Sequence, residues 1–148
     1  MVNFPSVTSP FIGRQDELVQ IRALFSNPAC RLLTLVGPGG IGKSRLARRA
    51  AARRMAAAPD GVYFVPLAAV RDPQFVSSAV VCVLGVVEQG GRPAIDVLVQ
   101  HMAGREMLLV LDNFEQVLAA APEVATLLAE APGLTVEIGP KRVYLKVI

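Results

Sequence analysis

The sequence predicts an α/β fold: a three-layer arrangement around a mostly parallel sheet. Two observations carry this expectation. Short apolar runs alternate with helix-forming stretches, the pattern of βαβ units. The runs are apolar at successive positions, as in strands covered on both faces. The composition agrees: 148 residues, 53% hydrophobic and 18% charged, suffice for a folded core in one domain.

Each element has its own signal. Residues 1–10 carry Pro5 and Pro10 among Ser and Thr and read as an extended lead-in. "QDELVQIRALF" (15–25) sets Leu18, Ile21, Leu24 and Phe25 at helical spacing, and Asn27 and Pro28 end that helix. "RLLTLV" (31–36) is a buried strand that runs into glycine. Residues 43–57, rich in Ala and Arg, form a helix. Pro59, Asp60 and Gly61 make a turn, and "VYFVPL" (62–67) is the second strand, ending near Pro66. Asp72 caps a helix that starts at Pro73 and reaches about Leu84. "QGGRP" (89–93) is a loop before a helix over about 94–103. "MLLVLD" (107–112) is the third strand. Residues 115–120 and 123–131 read as helical, broken near Pro122, and "LTVEI" (134–138) is the fourth strand. The organisation is then a lead-in (1–10), one domain (11–138) and a divergent tail (139–148) with room for a strand.

Composition also narrows the function. The net charge of +3 is a mild excess. Arg45, Arg48, Arg49, Arg53 and Arg54 fit a solvated helix face better than a nucleic-acid patch, so nucleic-acid contact by this domain is not expected. Cys30 and Cys82 lack metal or redox spacing, and His101 has no Cys or acid at ligand spacing. No signal-peptide pattern opens the chain. The apolar stretch 75–87 is too short to span a bilayer. A cytoplasmic protein without membrane contact is the expectation. No Ser-His-Asp or Cys-His pattern is legible.

The strongest motif is Gly37-Pro38-Gly39-Gly40-Ile41-Gly42-Lys43-Ser44, which fits the P-loop pattern G-x-x-x-x-G-K-[ST]. An apolar strand precedes it and a helix-forming run beginning with Arg45 follows it, which is the order the chemistry needs. Glycines let backbone N–H groups turn inward toward phosphate oxygens. The helix N-terminus adds partial positive charge. Lys43 reaches the β- and γ-phosphates, and the Ser44 hydroxyl can hold Mg²⁺. Residues 37–45 are therefore the candidate nucleotide-contacting run of a P-loop NTPase fold.

Asp112 ends the third strand. In an open parallel sheet that edge is where ligands sit, so Asp112 is the candidate carboxylate for Mg²⁺ opposite Ser44. Many hydrolytic relatives of this fold place a second acid next, to polarise water. Here that residue is Asn113. Glu115 either substitutes for it or merely adds first-turn charge to the next helix. The catalytic candidates are Lys43, Asp112 and Glu115.

"FIGRQDEL" (11–18), "LVGPGGIGKSRLA" (35–47) and "LLVLDNFEQV" (108–117) together resemble the NB-ARC-like signal-transducing ATPases of the STAND class. The likeness is to those found in bacterial multidomain transcription regulators, and it covers about residues 11–136. The resemblance implies that Phe11, Ile12, Gly13 and Arg14 lie over adenine and ribose. It implies ATP or ADP with Mg²⁺ as ligands. It also implies that "LTVEI" inserts between the cradle strand and the Asp112 strand. The family follows that strand with a Thr-Ser-Arg-like sensor, whereas this chain reads Gly139-Pro140-Lys141-Arg142. Gly-Pro-Lys can instead turn a β-hairpin into "RVYLKVI" (142–148). The family's helical and winged-helix domains have no counterpart, so the fold is expected to be incomplete at its C-terminal part. The expected partners are further domains of a larger protein or a self-association partner.

The expected function is a nucleotide-dependent switch in signal transduction or transcription regulation, with slow ATP hydrolysis at most. The rivals are an active AAA+-type ATPase acting on nucleic acid and a truncated, non-enzymatic interaction module.

Overall fold

The computed structural model describes residues 23, 27, 30–34, 58–88, 90–139 and 146–147, with only the backbone at 34, 139, 146 and 147. Five strands form one sheet: β1 (Leu32–Thr34), β2 (Val62–Pro66), β3 (Met107–Asp112), β4 (Leu134–Gly139) and β5 (Lys146–Val147). Their order is β2-β3-β4-β1-β5. The first four run parallel, and β5 lies antiparallel on the outer edge of β1. The expected insertion of the fourth strand is present: β4 pairs with β3 on one side and β1 on the other.

The tail departs from a hairpin. Both edges of β4 are taken, so β5 pairs instead with β1, Leu33 opposite Val147 and Thr34 opposite Lys146.

Parallel neighbours need a crossover, and the described ones are helical. Between β2 and β3 run α1 (Val76–Leu84) and α2 (Ala94–Met102). Asp72 caps the start of this segment as expected, accepting from the Gln74 N–H at 3.1 Å. Pro73 opens a 3-10 turn over Pro73–Phe75 before α1 begins. Gly85 ends α1 with φ 66°, a left-handed value that favours glycine.

Between β3 and β4 the structure corrects the expected break. Residues 114–116 and 118–120 form two 3-10 turns, and α3 (Ala121–Glu130) carries Pro122 in its first turn. The first turn has no intrahelical N–H bond to lose, so proline starts this helix rather than breaking it.

The two faces of the sheet differ. Tyr63 and Val65, Met107, Leu109 and Leu111, and Leu134, Val136 and Ile138 join one core with residues of α1, α2 and α3. On the opposite face Leu33, Val62, Phe64, Leu108 and Val110 are buried as well. That double burial is why the strands read as continuous apolar runs.

The amino-terminal edge is held by specific contacts. The Asp60 carboxylate accepts from the Glu106 N–H at 2.7 Å, tying the starts of β2 and β3. The Arg31 side chain donates from Nε to the Leu134 carbonyl at 3.2 Å, and from its guanidinium to the Ala131 carbonyl at the end of α3. Gly133 has no room for a side chain: a Cβ there would lie 2.2 Å from the Arg105 carbonyl oxygen.

Candidate nucleotide site

The parallel register fixes where the candidate acids stand. Ile138 of β4 pairs with Thr34 on one side and Leu111 on the other. The end of β1 and the end of β3 therefore lie at one level, two strand spacings or roughly 10 Å apart. In sequence β1 leads directly to the glycine-rich run at 37–44. Asp112 is thus carried to the carboxyl edge, one inserted strand away from β1.

Asp112 is the last residue of β3 and is 9% exposed. Its carbonyl accepts from the Leu67 N–H at 3.0 Å, which fixes the exit of β2 against that of β3. Its side chain alternates with the core-facing Leu111 and so stands on the face opposite α1, α2 and α3. The chain then turns sharply. Asn113 has φ 62°, the one positive φ of a non-glycine among the described residues. Asn tolerates this left-handed conformation better than most residues, so the turn itself accounts for its presence. Glu115 sits in the following 3-10 turn, half-buried, with Oε2 buried and without a hydrogen-bond partner among the described residues.

A further acid was not singled out from the sequence. Glu137, in the middle of β4, is 0% exposed. Neither of its carboxyl oxygens has a hydrogen-bond partner among the described residues. It pairs with Val110 and Leu33 in the flanking strands and alternates with the core residues Val136 and Ile138. It therefore shares the face of Asp112. Burial first, and the nearby Asp112 charge second, push its carboxyl well above the usual range. The available signal was a lone acid inside an apolar strand expected to be buried on both sides.

Phe11, Ile12, Gly13, Arg14, Gly37, Pro38, Gly39, Gly40, Ile41, Gly42, Lys43, Ser44 and Arg45 lie outside the described residues, as do residues 46–57, for which the sequence predicts an arginine-rich helix. Of the sequence candidates, the structure brings Asp112 to the carboxyl edge and Glu115 to the turn just beyond it. The donor chemistry suits Mg²⁺, since carboxylates are the hard oxygen ligands it takes. Among the described residues no group of three or more His, Cys, Asp or Glu forms a metal cluster. His101 lies on α2, its pKa lowered by burial and by Arg105. It borders a shallow cleft of about 230 Å³ with Val86, Val87 and Arg92, which contains none of the candidate acids. No described helix is long and apolar enough to cross a membrane.

β4, inserted between β1 and the acid-terminated β3, completes an α/β fold with a mostly parallel sheet. Two solved structures share it. A Cdc6p structure from Pyrobaculum aerophilum matches with TM-score 0.69 at 18% identity, over 92% of this chain and 41% of that one. The Aeropyrum pernix ORC2 protein, in ADPNP–ADP complexes, matches with TM-score 0.63 at 21% identity, over 92% of this chain and 42% of that one. Residues 10–103 match the AAA ATPase domain family, and the chain belongs to it. An uncharacterised protein of Mycobacterium tuberculosis is 41% identical over 127 residues, 85% of this chain and 32% of the relative. A second protein of that species, provisionally named an HTH-type transcriptional regulator, is 40% identical over 117 residues, 78% of this chain and 13% of its own length. The chain thus spans a third or less of these relatives.

Proposed function

We propose that this AAA ATPase domain binds Mg·ATP or ADP and acts as a nucleotide-dependent switch, with slow hydrolysis at most. The observation that carries the reading is the placement of Asp112 at the carboxyl edge, one inserted strand away from β1. Lys43 and the backbone of residues 37–44 would bind the phosphates. Ser44 and Asp112 would hold Mg²⁺, which when bound neutralises the β- and γ-phosphate charge. Phe11, Ile12, Gly13 and Arg14 would cover the base, in the manner of the NB-ARC-like STAND class.

Slow turnover is argued from the residues after Asp112. Asn113 cannot take a proton at neutral pH, and the left-handed turn gives it a structural reason to be there. Glu115 is the remaining candidate base beside the edge. The provisional name of the 40%-identical relative supports a place in transcription regulation, with the switch acting on other domains of a longer chain.

Turnover assays separate the switch from its rival, an active ATPase, which the family membership favours. The switch reading expects little phosphate release and different hydrogen-exchange protection in the ATP and ADP states. Rapid turnover, abolished by Asp112→Asn and Glu115→Gln, would establish the rival. Identical protection in both nucleotide states would sink the switch.

A further inference from the structure

β4 carries an acid that the proposed function leaves without a task. Glu137 is fully buried, and both oxygens of its carboxyl lack a hydrogen-bond partner among the described residues. Leaving one buried polar group unsatisfied costs about 1–3 kcal/mol, and more for a charged one. Such a group implies a missing partner. Its neighbours across the strands, Leu33 and Val110, are apolar and supply none.

The partner's chemistry follows from what is close. Glu137 pairs with Val110 while Asp112 pairs with Gly139, so the two acids stand two residues apart along adjacent strands, on one face. Diagonal neighbours on adjacent strands lie within reach of a long side chain such as that of Glu137. Yet Glu137 makes no hydrogen bond among the described residues, so the two carboxyls do not share a proton between them. Two carboxyls on one face of adjacent strands, that of Glu137 without a hydrogen-bond partner among the described residues, are a donor set for a hard divalent cation. Such ions are held by one or two protein carboxylates, with waters or phosphate oxygens completing the shell.

We infer that Glu137 shares a divalent cation with Asp112, so that the ion is held by two carboxylates from adjacent strands rather than by Asp112 alone. The inference rests on reading Asp112 as a cation ligand. It adds a binding consequence: two carboxylates give the site cation affinity even without nucleotide phosphates.

The test uses the full chain, nucleotide-free, with Mn²⁺ as the probe and the free ion counted by electron paramagnetic resonance. Wild type is expected to bind Mn²⁺. Glu137→Gln and Glu137→Leu, with fold checked by circular dichroism, are each expected to weaken binding by about tenfold or more. Asp112→Asn is expected to do the same. Wild-type affinity in both folded Glu137 variants, with loss in Asp112→Asn, would overturn the role of Glu137 and leave Asp112 as sole ligand. Wild-type affinity in Asp112→Asn would overturn both the shared site and the reading beneath it, as would the absence of Mn²⁺ binding by wild type with or without ATP.

Discussion

Asp112 and Glu137 are acids on adjacent parallel strands, on the same face, two residues apart in height. Their circumstances differ. Asp112 ends its strand and keeps some exposure, whereas Glu137 lies below the edge between Leu33 and Val110 with none. The contrast shows that height along a strand decides what a carboxylate can do. At the carboxyl edge an acid meets ligands that approach the sheet. One pair of residues lower it destabilises the fold until something reaches it.

The largest effect expected from this contrast is on ligand binding. Asp112→Asn should lower Mg²⁺-dependent ATP affinity about 100-fold, the equivalent of about 2–3 kcal/mol for a lost charge-assisted contact. Calorimetry with and without Mg²⁺ checks it, and an unchanged affinity would break the assignment of the edge acid.

Stability should respond at the lower acid. In metal-free buffer, Glu137→Leu is expected to raise unfolding free energy by about 1–3 kcal/mol, because an unpartnered carboxyl is replaced by apolar volume. Urea unfolding reads this directly. The pH dependence has a definite sign. Below its ordinary value of 4.5 Glu137 is protonated in both states. Above it the unfolded chain ionises while the fold holds the proton, so this group's contribution to stability falls as pH rises until the raised folded value is passed. Glu137→Gln should show a shallower fall over that window, and an identical slope would contradict the burial argument.

The ends of the two strands give smaller effects. Gly133→Ala, just before β4, is expected to cost about 1–3 kcal/mol, because the new methyl meets the Arg105 backbone rather than a side chain that can move. Asn113→Ala, just after β3, should cost about 1 kcal/mol from its left-handed φ, while Asn113→Gly should be nearly neutral. Equal melting temperatures for these last two variants would remove the conformational account of Asn113.

Much of the sheet was legible because its signals are local. β3 occupies the expected 107–112, and β2 and β4 lie within one residue of their apolar runs. The insertion of β4 followed from the family resemblance, since no periodicity specifies strand order. The illegible parts depend on what the chain meets in space. Pro122 looks like a breaker in isolation and is a helix start once residues 114–120 form 3-10 turns before it. The tail looks like a hairpin partner for β4 until both edges of that strand are filled. Glu137 was overlooked for the same reason: "LTVEI" reads as a strand, and only the sheet shows that its acid has Asp112 as a neighbour.

The central claim is that this domain holds a nucleotide through the run at 37–44. Titration calorimetry of ATP and ADP against wild type and Lys43→Ala tests it most directly. The account predicts saturable 1:1 binding of both nucleotides by wild type and a loss of about 100-fold in Lys43→Ala, from a charged contact of about 2–3 kcal/mol. Equal binding by the two proteins, or none by wild type, would contradict it.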